Sequence, residues 1–192
     1  MIAIIKYNGG NTRSVQNALS RLHYESIITD NVDEILNATH VILPGVGEAS
    51  SAMAYLKNKK LDTIIKQLKQ PFLGICLGLQ LMCTHSEEND TTCLGIFDVP
   101  VKKFPPENIV PHMGWNNLND TTGKLFSSVS VIENMYFVHS YYAEKGQHTI
   151  AGCEYILPFS AVMQKDNFYA TQFHPERSGT AGEQVIKNFL SL

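Results

Sequence analysis

Long runs of any one kind are missing from this chain. No apolar stretch approaches the roughly 20 residues a helix needs to cross a bilayer, so no membrane contact is expected. No block of like charge occurs either. The basic pairs Lys59-Lys60 and Lys102-Lys103 are brief, and a net charge of −3 offers no basic face to a polyanion, which argues against nucleic-acid binding. Four cysteines, Cys76, Cys83, Cys93 and Cys153, are irregularly spaced and form no CxxC pair. With seven histidines that also lack zinc-ligand spacing, they give no ground for a disulfide framework, a metal or an organic cofactor. The opening Met1–Tyr7 is too short for a signal-peptide core and reads as a strand, so reduced thiols in a cytoplasmic protein are expected. No repeat, linker or low-complexity segment breaks the chain, and 192 residues suit one domain over 1–192.

What is present is an alternation of strand and helix signals. Ile2–Ile5 is apolar throughout, as in a strand covered on both faces. Val15, Ala18, Leu19 and Leu22 then recur at helical spacing. Ser26–Thr29 and Val41–Leu43 read as strands, Leu61, Ile64, Ile65 and Leu68 as a helical stripe, and Phe72–Ile75 as a further strand. Such alternation predicts an α/β fold with a mostly parallel sheet flanked by helices. Between about Thr91 and Ala170 the pattern changes to short segments separated by turn residues. Val99–Phe104, Met135–His139, Ile150–Glu154, Ala161–Gln164 and Phe168–Thr171 are predicted strands, several of them antiparallel. Thr180-Ala181-Gly182-Glu183 has the form of a capping box before a final helix.

Chemistry concentrates at three places. In Gly74-Ile75-Cys76-Leu77-Gly78 a strand turns at a cysteine bracketed by glycines and enters a helix, the geometry that lifts a nucleophile above a sheet. A helix N-terminus there favours the thiolate. Almost a hundred residues later, His174-Pro175-Glu176 supplies an acid–base group and a carboxylate to orient it, and the three residues together point to acyl transfer. Pro44-Gly45-Val46-Gly47 ends a strand at the same sheet edge. It reads either as a plain tight turn or as half of an oxyanion hole, the N–H of Leu77 being the other half. Gln80 would hold a substrate amide or lie in solvent. Glu88 would meet an ammonium, although an acidic helix end explains its pattern better.

These motifs resemble those of the class I (triad) glutamine amidotransferases, and the likeness covers essentially the whole chain. Within that family, Pro111-His112-Met113-Gly114-Trp115-Asn116 and Tyr136-Phe137-Val138-His139-Ser140-Tyr141 are similar to segments of the glutaminase subunits of imidazole glycerol phosphate synthases. The resemblance implies a flavodoxin-like fold and hydrolysis of L-glutamine by a triad of Cys76, His174 and Glu176. It also implies an oxyanion hole at Val46, Gly47 and Leu77, and substrate contacts at Gly45, Gln80, Glu88 and Tyr136. Ammonia would pass to a (β/α)₈-barrel cyclase subunit in a heterodimer, met at Trp115 and Arg177. That partner would convert PRFAR, a phosphoribulosyl-formimino ribotide, into imidazole glycerol phosphate and AICAR. Two alternatives stay open at this level: a subunit feeding another acceptor such as a surface-glycan sugar, and a silent binding module.

Overall fold

The alternating burial of the first strand sets the architecture. In β1 (Ile2–Ile5) the side chains of Ile2 and Ile4 enter one apolar cluster and those of Ala3 and Ile5 another, so the strand is covered on both faces. The computed structural model describes residues 1–129 and 133–192. After β1 come α1 (Thr12–Arg21), β2 (Ser26–Thr29), α2 (Val32–Leu36), β3 (His40–Leu43), α3 (Ala49–Asn58), α4 (Leu61–Gln67), β4 (Phe72–Ile75) and α5 (Leu77–Met82). Two short strands, β5 (His85–Ser86) and β6 (Thr91–Thr92), lead into β7 (Val101–Lys103), β8 (His112–Asn117), β9 (Asn134–His139) and β10 (Tyr141–Ala143). The chain ends with β11 (Thr149–Tyr155), β12 (Leu157–Lys165), β13 (Phe168–Thr171) and α6 (Gly179–Leu190).

Among the described residues the main sheet has the order β11-β12-β13-β4-β3-β1-β2. The β13, β4, β3, β1 and β2 strands are mutually parallel, whereas β12 and β11 fold back antiparallel. From β2 inward this is the 2-1-3-4 order of doubly wound sheets, in which ligands collect beyond the carboxyl ends of the strands. Helices α1 and α6 cover one face through Val15, Leu19, Val185 and Phe189. The other face is covered by α3, α4 and α5 through Met53, Leu56, Leu61, Ile65 and Leu79. Two small sheets, β10-β7-β5-β6 and β8-β9, stand beside the main one.

The predicted strands Ile2–Ile5, Ser26–Thr29, Phe72–Ile75 and Phe168–Thr171 have those bounds in the structure. Helix α6 begins earlier than the capping-box pattern implies. It starts at Gly179, and Thr180 lies within its first turn. The hydroxyl of Ser178, the residue before it, donates instead to the His174 carbonyl at 2.7 Å and accepts the Tyr136 N–H at 2.9 Å. Those bonds tie the helix start to the site instead of capping it.

Candidate active site

Cys76 follows β4 directly and has a left-handed backbone, φ 54°, a costly conformation for a side chain with a Cβ. Two hydrogen bonds and the close packing that glycine allows hold it there. Its N–H donates to Thr171 O at 2.7 Å, its carbonyl accepts the first helical bond from Gln80 N at 3.2 Å, and the glycines around it let backbones approach closely. A Cβ on Gly78 would overlap the Leu43 carbonyl oxygen, so only glycine lets α5 lie against the end of β3. The elbow is thus held by the strand on each side of β4.

His174 and Glu176 come from the turn after β13. The His174 N–H donates to Tyr136 O at 2.9 Å, which hangs this turn on β9. Its Nδ1 lies 2.9 Å from Glu176 Oε1, and the side chains are only 2% and 1% exposed. Burial disfavours the imidazolium, but Cys76 and then Glu176 outweigh it and raise His174 to about 10. The His174 Nε2 is buried without a hydrogen-bond partner, and the Cys76 sulfur is the strongest influence favouring its protonation.

A cavity of about 310 Å³, the size of a small ligand site, opens over Cys76. Val46, Gly47, Leu77, Gln80 and Glu88 line it, together with Val138–Tyr141 from the other wall. Glu88 is half-buried, its Oε2 accepts the Ala49 N–H at 2.7 Å, and burial raises its pKa. Gln80 is buried, not solvated, and its Nε2 donates to Tyr141 O at 2.9 Å. In the Pro44–Gly47 turn Gly47 has φ 116°, while the Val46 carbonyl faces the Cα of Gly9, where a Cβ would overlap it. The trans peptide therefore sends the Gly47 N–H away from Gly9.

Two expected substrate contacts stand elsewhere. Gly45 is buried beneath Leu77 and Gly78 and does not line the cavity. Tyr136 does not line it either. It pairs with Trp115 across β8 and β9, and the two rings meet edge-on at 5.8 Å. Its backbone, holding the His174 turn, is what serves the site. Trp115 and Arg177 are both exposed, Trp115 by 57%. Several site residues escaped the sequence reading. Tyr7, two residues past β1, donates its hydroxyl to Pro44 O at 2.8 Å and so braces the Pro44–Gly47 turn. His139 is buried and linked to His112, with Nε2 and Nδ1 3.1 Å apart. Both imidazoles are kept neutral by burial, which lowers His112 to about 4 and His139 to about 3.

An elbow cysteine, a buried imidazole–carboxylate pair and a small cavity at the carboxyl edge of a doubly wound sheet define a thiol-dependent hydrolase or acyl transferase. The glutamine amidotransferase class-I family profile matches residues 3–192, and the chain belongs to that family. Imidazole glycerol phosphate synthase subunit HisH of Bacteroides fragilis is 55% identical over 194 residues, spanning 100% of this chain and 99% of the relative. HisH 2 of Legionella pneumophila is 45% identical over 195 residues, spanning 100% and 98%. The crystal structure of a glutamine amidotransferase superposes with a TM-score of 0.74 at 18% identity, over 99% of this chain and 97% of that one. The PurLQS structure from Thermotoga maritima gives 0.71 at 17%, over 99% and 97%. At such identities the structures speak for the fold alone.

Proposed function

We propose that the chain, acting as one amidotransferase domain, is the glutaminase subunit of an imidazole glycerol phosphate synthase. The Cys76 thiolate attacks the side-chain amide carbon of L-glutamine, and the His174 imidazolium protonates the leaving nitrogen. Ammonia departs, leaving a glutamyl thioester. Neutral His174 then takes a proton from water, the hydroxide adds to the thioester carbonyl, and glutamate leaves as the thiolate is restored. Glu176 keeps the His174 ring in one orientation and stabilises its charge. The N–H groups of Leu77 and Gly47 flank the oxygen on which charge develops. Gln80 and Glu88 hold the amino-acid end, Glu88 through the carboxylate oxygen that Ala49 leaves free.

The observation that carries this reading is the buried His174–Glu176 pair set beside a cysteine in a left-handed elbow. The acceptor is inferred from relatives that bear the synthase name along their whole length. Ammonia passes to a (β/α)₈-barrel cyclase in a cytoplasmic heterodimer, where PRFAR becomes imidazole glycerol phosphate and AICAR. Met113 and Trp115, 64% and 57% exposed on β8, form an apolar face suited to that partner, with Arg177 contributing a charge.

Genetic complementation tests both halves. Expressed with its own cyclase, the intact chain should restore histidine-independent growth to cells lacking both subunits, and Cys76→Ala should not do so at low ammonium. Rescue by Cys76→Ala under that condition would defeat the catalytic reading. Failure of the intact, folded pair would defeat the pathway reading.

A further inference from the structure

The Cys76 sulfur has a neighbour that the triad does not use. Gln172, two residues before His174, is completely buried, and its Nε2 lies 3.6 Å from Cys76 Sγ. Which end of this amide faces the sulfur follows from a chain of partners. The carbonyl of Tyr141 can only accept. It lies 2.8 Å from Nδ1 of His139 and takes the Gln80 Nε2–H at 2.9 Å. Gln80 Nε2 also lies 3.2 Å from Gln172 Oε1. With the Gln80 nitrogen fixed there, the Gln172 oxygen must turn toward it, and only the N–H end remains for the sulfur. The Gln172 backbone is equally fixed, since its N–H donates to Ala161 O at 2.7 Å.

We propose that Gln172 is a further catalytic residue, whose side-chain N–H is a fixed donor to the Cys76 thiolate, oriented by Gln80 and, through the Tyr141 carbonyl, by His139. The inference rests on Cys76 being the reacting sulfur. A donor to an anionic acceptor stabilises the charged form and holds it in one rotamer. When the sulfur bonds to carbon it loses that charge, so the contribution lies in the thiolate population and not in bond formation itself. Other titratable groups around the sulfur are His174 and Tyr7, with His139 and Glu88 lining the same cavity. None of them is hydrogen-bonded to the Gln172 side chain, whose partners are Gln80 and Cys76.

The test is the pH dependence of Cys76 alkylation by iodoacetamide in the full chain, followed by mass spectrometry. Gln172→Met keeps the shape and removes the donor. Its alkylation midpoint should move up by about one pH unit while the high-pH plateau is kept, a roughly 10-fold change in the thiolate equilibrium and the scale of one hydrogen bond to a charged group. Gln172→Glu, which sets a carboxylate against the sulfur, should move the midpoint further. Simple structural damage would lower the plateau and leave the midpoint in place, and an unmoved midpoint in folded Gln172→Met overturns the proposal. Should Gln172→Met not fold, Gln80→Glu removes the donor that orients Gln172. The same upward shift is then expected, and its absence is equally fatal. A chain that alkylates as described but does not hydrolyse glutamine would refute the proposed function and leave the role of Gln172 standing.

Discussion

Cys76 Sγ and the Gln80 side chain are joined through one residue, Gln172, which touches both. The nucleophile is therefore tied to the cavity wall as well as to the acid–base pair. Residues expected to hold substrate and residues expected to react share one buried hydrogen-bond network, so their effects on rate should not separate cleanly.

Removing the nucleophile should have the largest effect. Cys76→Ala should lower glutamine hydrolysis by about 10⁴-fold or more while leaving ammonia-dependent synthesis by the complex intact. An electrophilic glutamine analogue should label Cys76 alone. Cys83, Cys93 and Cys153 are buried, and burial pushes Cys93 up to about 11 and Cys153 up to about 12. Peptide mapping after labelling checks this, and modification of any other cysteine in folded protein contradicts it.

Glu176→Gln should cost less than loss of Cys76, on the order of 10- to 100-fold in kcat with little change in KM. Its amide oxygen can still accept from Nδ1, but the charge that supports the imidazolium is gone. The acidic charge of Glu176 is among the causes that raise His174, so the alkaline limb of the kcat profile should shift to lower pH in this variant. Steady-state kinetics from pH 6 to 10 read both effects. An unchanged profile would mean that Glu176 does not govern His174.

Acid should destabilise the fold through His112 and His139. Their folded-state pKa values, about 4 and about 3, lie below the ordinary histidine value. The unfolded chain therefore binds more protons in this window, and the stability they give is present above about pH 6.5 and lost as pH falls toward 4. The unfolding free energy from urea denaturation should decline between pH 7 and 5 by up to about 1.4 kcal/mol per pH unit for each histidine. His112→Phe should flatten that slope. A slope of the same size in the variant would assign the acid sensitivity elsewhere.

Gly78→Ala should destabilise strongly, by about 3 kcal/mol, because the added methyl overlaps the Leu43 carbonyl and neither backbone can give. Chemical denaturation measures it. A shift under 1 kcal/mol would show that α5 can move off β3.

Much of this was legible in sequence because local chemistry dictates it. Gly74 and Gly78 around Cys76 announce the elbow, and the all-apolar Phe72–Ile75 announces a strand buried on both faces. The pairings at long separation were not legible. Gln80 meets Tyr141 and Gln172 across 61 and 92 residues, and nothing local marks a glutamine as a link and not as surface. Tyr136 shows a different limit. Its motif was visible, but its ring lies edge-on against Trp115 and outside the cavity, whereas Val138, two residues on and on the same face of β9, lines it. Helix α3 went unannounced because alanines form much of its buried side and its first N–H groups are capped by Glu48.

Turnover under partner control tests the account most directly. Gly47, at φ 116°, and Gly45 flank Val46, so a peptide flip that moves the Gly47 N–H toward or away from the substrate oxygen is sterically cheap. Loss of one oxyanion donor costs about 10²- to 10³-fold, enough for a switch. The measurement is glutamine hydrolysis by the chain alone, with the cyclase, and with the cyclase plus PRFAR. The account predicts slow turnover for the chain alone and a rise of about 10²-fold or more in the full complex, with glutamate and imidazole glycerol phosphate formed in equal amounts. Equal rates in all three mixtures, or glutamate formed in clear excess over imidazole glycerol phosphate in the full complex, would contradict it.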